Sequence, residues 1–596
     1  MATNSMKWNL NDLYSGIDDT RVEQNLDTQL KRAADFSARY REKIDVPNLD
    51  ASTLKAAIEE YESIIQEADK PVDFAHLLFA AETSDPAHGA FVQKMTERRT
   101  EISVALLFFD LELMGIPETK MSELLKSSEL AKYRHYLWAV RLYRDYRLTE
   151  PEEKVLEEKA NTGRRAFDRL FDEVTSNIPF RMKRNGEEES LSLPQVVALL
   201  RDPNRDVRKA AAASLTEGLT SQGRVLTFIF NTLIQDKATD DRLRDYEYPE
   251  QSRHLANELD RETVELVVRT AAENYGLVSR YYSIKREILG LDKLTHYDRY
   301  APLLAAKEVV PFDRAEEIVL GSFGSFSKDF ADVAKKFFDH QWIDAGVRPG
   351  KRSGAFCSYI TPDLHPYVLL SYLDRMDDVM TLAHELGHGV HAYVARDQGY
   401  LNFSSVLPLA ELASTFGEML VFQDLEKEAS LESRLALYGE KIESMFATIF
   451  RQAAMFKFEQ AIHKMRREKG ELTTEEFSAL WQHEQQAMFQ DSVELGEEHR
   501  FWWMYVSHFI GSPFYVYAYT FGELLVLSLY AMYQKEGAAF PPKYLELLRS
   551  GGSMSPVELL SRIGVDIRDP EFWAGGMSVL EGFIEKFEGL YKEWKH

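Results

Sequence analysis

Residues 379–393 read VMTLAHELGHGVHAY. Val379 to Ala383 leading in and Val390 to Tyr393 leading out carry the apolar periodicity of a helix with a buried face. On such a helix His384 and His388 are four residues apart, so both imidazoles project from one face and can bind one metal ion, while Glu385 lies close enough to reach a water on that ion. The aliphatic residues around them make the dry environment that a metal site requires. His391, three residues beyond His388, reads as a packed or supporting histidine and not as a fourth ligand.

A catalytic zinc needs three protein ligands and an open position. The third is sought downstream, where residues 411–418 read ELASTFGE, beginning 23 residues after His388. That interval accommodates the end of one helix, a turn through Gly399–Pro408 and a returning helix. Glu411 is assigned as the third ligand. Glu418, two turns on along the same face, is assigned as the carboxylate that receives the other N–H of a ligand histidine.

Outward from this pair, the patterning is mostly helical. Segments such as Leu54–Ala68 and Phe91–Met114 have apolar residues at three and four, and Asp202-Pro203 opens a further helix. Phe180–Leu193 suits a hairpin turning at Asn185-Gly186, and the main boundary is placed near it, giving an N-terminal helical lobe at 1–195 and a catalytic domain at 196–596. The stretch 342–375, punctuated by Gly and Pro, is the most strand-like, with runs at Ala355–Ile360 and Tyr367–Leu373. It offers an edge that holds an extended peptide by backbone pairing. The fold class is therefore mainly α, with a small β-sheet next to the active-site helices.

The 596 residues are 45% hydrophobic and 28% charged, with a net charge of −25. Such a chain is globular and does not grip nucleic acid or an anionic membrane through its overall field. Its one cysteine, Cys357, precludes an intramolecular disulfide, and residues 1–13 lack a signal-peptide pattern, so a cytoplasmic location is expected. The apolar stretch 509–533 is long enough to span a bilayer, but Pro513, Glu523 and tyrosines spread along its length argue for a buried helix lining something polar.

Four stretches together resemble the M3 zinc metallopeptidases, and within them the oligoendopeptidase F branch: HELGHGVH at 384–391, ELASTFGE at 411–418, HFIGSPFYVYAYTFGE at 508–523 and WNLNDLY at 8–14. The resemblance implies His384, His388 and Glu411 as ligands of one zinc per chain and Glu385 as the catalytic acid/base. It also implies a two-lobed helical body with a deep substrate channel, and cytosolic cleavage of short peptides. The interval from His388 to Glu411 is about two residues shorter than the family's. His508 with Tyr515 and Tyr519 resembles the family's His-and-Tyr segment that contacts the scissile carbonyl. Helical spacing favours Tyr515 and Tyr519 over Tyr517, which falls on the opposite face.

The expected function is zinc-dependent hydrolysis of internal peptide bonds in short, unfolded peptides. Two rivals are a metallocarboxypeptidase with the same metal site, which would need a cation near the metal for the substrate's terminal carboxylate, and a helical protein that binds peptides without cutting them. The sequence leaves the oligomeric state open.

Overall fold

The computed structural model describes residues 6–184, 187–304 and 309–596. Five short strands are present among them: β1 (Phe180–Arg184), β2 (Glu187–Leu191), β3 (Ile343–Asp344), β4 (Phe356–Ser358) and β5 (Tyr367–Leu369). Most of the remaining structure is helix. By compactness the chain divides into two units, each assembled from three stretches. The first comprises Met1–Arg147, Glu308–Glu428 and Met532–Asp566; the second comprises Leu148–Lys307, Ala429–Ala531 and Ile567–His596.

The first unit opens with the helices Thr20–Tyr40, Ala51–Ala81 and Pro86–Gly115. Asp19, Asp50 and Asp85 cap their N-termini by accepting from Arg21, Thr53 and Ala87 backbone N–H groups, which satisfies donors the helix leaves free. Their apolar faces meet at Phe36, whose ring lies 5.2 Å from that of Phe109, itself 5.0 Å from Tyr61. Each such side chain taken from water contributes about 1.5–3 kcal/mol.

The strand-like stretch forms a three-stranded sheet in the order β3-β5-β4, with β3 parallel and β4 antiparallel to β5. β4 pairs Phe356, Cys357 and Ser358 with Leu369, Val368 and Tyr367, and as an outer strand it has one edge unpaired within the sheet. The opening motif lies on this sheet: the Trp8 ring is 6.3 Å from Phe356 and 6.0 Å from Tyr367, and Asn9 N–H donates to the Gln341 carbonyl at 2.9 Å.

In the second unit β1 and β2 form the expected antiparallel hairpin, with Phe180 opposite Leu191 and Met182 opposite Glu189. The turn pair Asn185-Gly186 lies outside the described residues. Phe180 and Met182 are buried; in β2 Glu187 and Glu188 are exposed, and Glu189, opposite Met182, is half-buried. Helices supply the rest, from Glu150–Ala160 to Pro570–Lys595. Most of the apolar stretch 509–533 forms the helix Tyr517–Glu536, and among the described residues no helix is long and apolar enough to cross a membrane.

Candidate metal centre

The helix Met376–Ala395 carries the histidine pair. Its N-terminus is set by Asp378, whose carboxylate accepts from the N–H of Arg375 at 3.0 Å and of Leu373 at 2.8 Å. The returning helix Leu412–Glu428 packs directly on it. The approach is closest at Gly387, where a Cβ would lie 2.3 Å from the Ala413 carbonyl oxygen and 2.6 Å from Ser414 Cα. Both obstacles are backbone, so Gly387→Ala must push the helices apart. We expect it to lower stability by about 1–3 kcal/mol and to weaken metal binding, as read by thermal denaturation and metal titration.

That contact brings three ligating groups together. His384 Nε2 and His388 Nε2 each lie 3.4 Å from Glu411 Oε2, and the three residues form a group able to hold a metal ion. Donors at 2.0–2.1 Å from a tetrahedral zinc are separated by about 3.3–3.4 Å, so the spacing of both histidines from the carboxylate fits that ion. Glu411 follows the short helix Leu407–Ala410, and its Oε2 accepts from the Ser414 hydroxyl at 2.6 Å. Glu418 Oε1 stands 2.6 Å from His384 Nδ1, which fixes the ring and leaves Nε2 for a metal. His391 is 2% exposed and its Nδ1 has no hydrogen-bond partner; burial holds its pKa down to about 3, so it stays neutral.

The titration of these groups follows from burial among carboxylates. For His384, burial favours the neutral ring, but Glu418, Glu411 and Glu385 outweigh it and raise the pKa to about 9. Burial lowers His388 to about 4 against the pull of Glu411, with the neighbouring His384 acting in the same direction as burial. Without metal the pair therefore takes one proton, on the ring backed by Glu418. A metal ion must displace that proton. Glu385 is 6% exposed; burial raises its carboxyl to about 7, with Glu411 and Glu418 adding to the shift and His384 opposing it. A carboxyl poised near neutrality is suited to both accepting and returning a proton.

Two contributions escaped the sequence reading. Ser414 sits inside the ELASTFGE segment three residues after Glu411, a spacing that places it on the same helical side. Cys357 and Tyr359, alternate residues of the strand-like run at 355–360, lie near the site. Burial is the main cause of the upward shifts of the Cys357 thiol and the Tyr359 phenol, and the Glu385 charge adds to both.

The aromatic segment belongs to the second unit. Tyr519 OH is 3.3 Å from His508 Nε2, the Tyr515 ring stacks 5.9 Å from His508, and the Tyr515 and Tyr519 rings are 5.0 Å apart. Tyr517 is buried elsewhere, its hydroxyl accepting from Asn257 Nδ2 at 2.8 Å. The helix begins at Tyr517, so Tyr515 joins the group from the preceding turn and not by helical spacing. In that turn Phe514 has φ 58°, and its N–H donates to the buried Glu459 carboxylate at 2.7 Å.

A family model described as peptidase family M3 matches residues 198–579, and one described as oligopeptidase F matches residues 112–180. The chain belongs to peptidase family M3. As an M3 member it is a metallopeptidase acting on peptides. Oligopeptidase PepF of Bacillus subtilis is 25% identical over 91% of this chain and 82% of its own length. Group B oligopeptidase PepB of Streptococcus agalactiae is 27% identical over 92% of each chain. The oligoendopeptidase F structure from Enterococcus faecium shares the fold, with a TM-score of 0.73 at 21% identity over 96% of this chain and 98% of that one.

Proposed function

We propose that the protein is a zinc-dependent oligoendopeptidase that hydrolyses internal bonds of short, unfolded peptides in the cytoplasm, with His384, His388 and Glu411 holding one zinc per chain. The observation that carries this reading is the placement of both histidine Nε2 atoms at 3.4 Å from one Glu411 oxygen, with Glu385 buried beside them. When bound, zinc supplies a Lewis acid that lowers the pKa of water and polarises the scissile carbonyl. Glu385 accepts the proton released as water attacks and returns it to the leaving amine. Ser414 and Glu418 keep Glu411 and His384 in their ligating orientations. His508, Tyr515 and Tyr519 bind the substrate, and one or two of them donate to the oxygen on which negative charge develops. The division of the chain at 195/196 is part of the same reading, supported by family models that match 112–180 and 198–579.

The test is mass spectrometry of a mixed peptide pool incubated with and without chelator, together with metal analysis. About one zinc per chain is expected, with cleavage inside peptides blocked at both ends, no cleavage of natively folded proteins, and loss of all cleavage with chelator. Release only of C-terminal residues from unblocked peptides would establish the carboxypeptidase rival. A metal-free protein that binds peptides without cutting them would establish the other.

A further inference from the structure

Three arginines of the second unit meet at one phenol. Arg451 ends the π-helical turn Ala447–Arg451, and its Nη1 donates to the Tyr300 hydroxyl at 2.9 Å. Arg299 lies over the same ring at 4.5 Å and Arg201 at 5.7 Å. Burial alone would raise the Tyr300 pKa, yet the guanidinium charges of Arg299, Arg451 and Arg201 bring it down to about 8. π-turns inside helices recur at functional sites because they redirect a side chain that a regular turn would place elsewhere.

Among the described residues no carboxylate pairs with the cluster of Arg201, Arg299 and Arg451. Nearby carboxylates are committed to other cations: Asp298 to Arg205 at 2.8 Å and Arg208 at 2.9 Å, and Glu443 to Lys285. Arg299 is 4% exposed, and its Nε has no hydrogen-bond partner. Stacking on Tyr300 offsets only part of the cost of burying such a charge, which ordinarily requires a paired anion. In a chain of net charge −25, cations left unpaired in this way are arranged for an anion that arrives with a ligand. Tyr300 and Arg451 are half-buried, so the cluster is open to one.

We propose that Arg201, Arg299 and Arg451, with Tyr300, form a subsite that binds the free C-terminal carboxylate of the peptide substrate. The inference rests on the peptidase reading, which supplies the ligand: the C-terminal carboxylate is the one anion that every unmodified linear peptide carries, and its planar oxygens match the guanidinium fork. The link to the substrate is the helix that carries Tyr519: its Thr520 hydroxyl donates to the Ile449 carbonyl inside the π-turn at 3.0 Å, and Tyr519 OH lies 3.3 Å from His508 Nε2. The cluster therefore neighbours residues assigned to substrate binding, and the Arg451 charge adds to burial in lowering the His508 pKa. Gripping the C-terminus favours short peptides without limiting the enzyme to the last residue, so amidated peptides are still cut, more slowly.

The experiment uses the metal-loaded Glu385→Gln protein and one N-acetylated peptide in two forms, free acid and C-terminal amide, with equilibrium binding as the readout. The acid is expected to bind about tenfold or more tightly, although the protein's overall negative charge favours the amide. Adding Arg451→Gln should bring the ratio to about 1. In the wild type kcat/KM should show the same preference, carried mainly by KM. Equal binding of acid and amide would overturn the subsite whether or not either peptide is cut, and so would an acid preference that survives both Arg451→Gln and Arg299→Gln. A preference for the acid without cleavage of either form by the wild type would support the subsite and count against the peptidase reading.

Discussion

Glu385→Gln is expected to keep about one zinc per chain while lowering kcat by roughly 10²–10⁴, the usual contribution of a positioned acid/base. The amide is isosteric with the carboxyl, and Glu385 is not among the three residues whose ligand atoms converge, so the metal should stay. What disappears is the proton shuttle, because an amide can neither accept the proton of the attacking water nor hand one to the leaving amine. His388→Ala behaves differently: it removes one of three ligands, and both metal and turnover should be lost. Metal analysis beside single-turnover kinetics separates the two. A Glu385→Gln protein that had lost its zinc would place Glu385 among the ligands and remove it from the proton-transfer role.

The helical pair that holds these residues was legible because its chemistry and its periodicity coincide. His384 and His388 at i and i+4, and Glu411 and Glu418 at i and i+7, state which faces meet. The strand-like run at 355–360 and the β1–β2 pairing were legible for a similar reason, since alternation and turn residues are local signals. What remained hidden depends on contacts between distant stretches. Residues 1–147 pack in one unit with 308–428, and no periodicity encodes that. The closeness of Cys357 and Tyr359 to Glu385 requires the sheet to lie against the motif helix, and the role of Gly387 as a contact point appears only once Ala413 and Ser414 are seen against it. The arginine cluster was hidden for the same reason. Arg201, Arg299 and Arg451 are far apart in sequence and converge only through the π-turn and the loop carrying Tyr300.

Tyr519→Phe is expected to lower kcat by roughly 10²–10³, about 3–4 kcal/mol of transition-state stabilisation, with zinc content and fold retained. The argument runs through His508. Its ring is neutral near pH 7, because burial and then the Arg451 charge lower its pKa, so it carries one ring proton. With that proton on Nε2, 3.3 Å from Tyr519 OH, the imidazole donates to the phenol oxygen and leaves the phenol proton free to point at a developing oxyanion. Removing the hydroxyl removes that donor, and His508→Ala should reproduce part of the loss by freeing the phenol to rotate. Tyr515→Phe tests whether a second donor contributes. Tyr517→Phe is the control, since its hydroxyl accepts from Asn257 within the core. It should cost about 1–3 kcal/mol of stability, through an Asn257 amide left without its acceptor, and should leave kcat within a few-fold. A reversed pattern, with Tyr517 sensitive and Tyr515 and Tyr519 silent, would mean that the segment reaches the substrate in a different register. Silence at all three tyrosines and at His508 would assign charge stabilisation to the metal and to donors outside this segment.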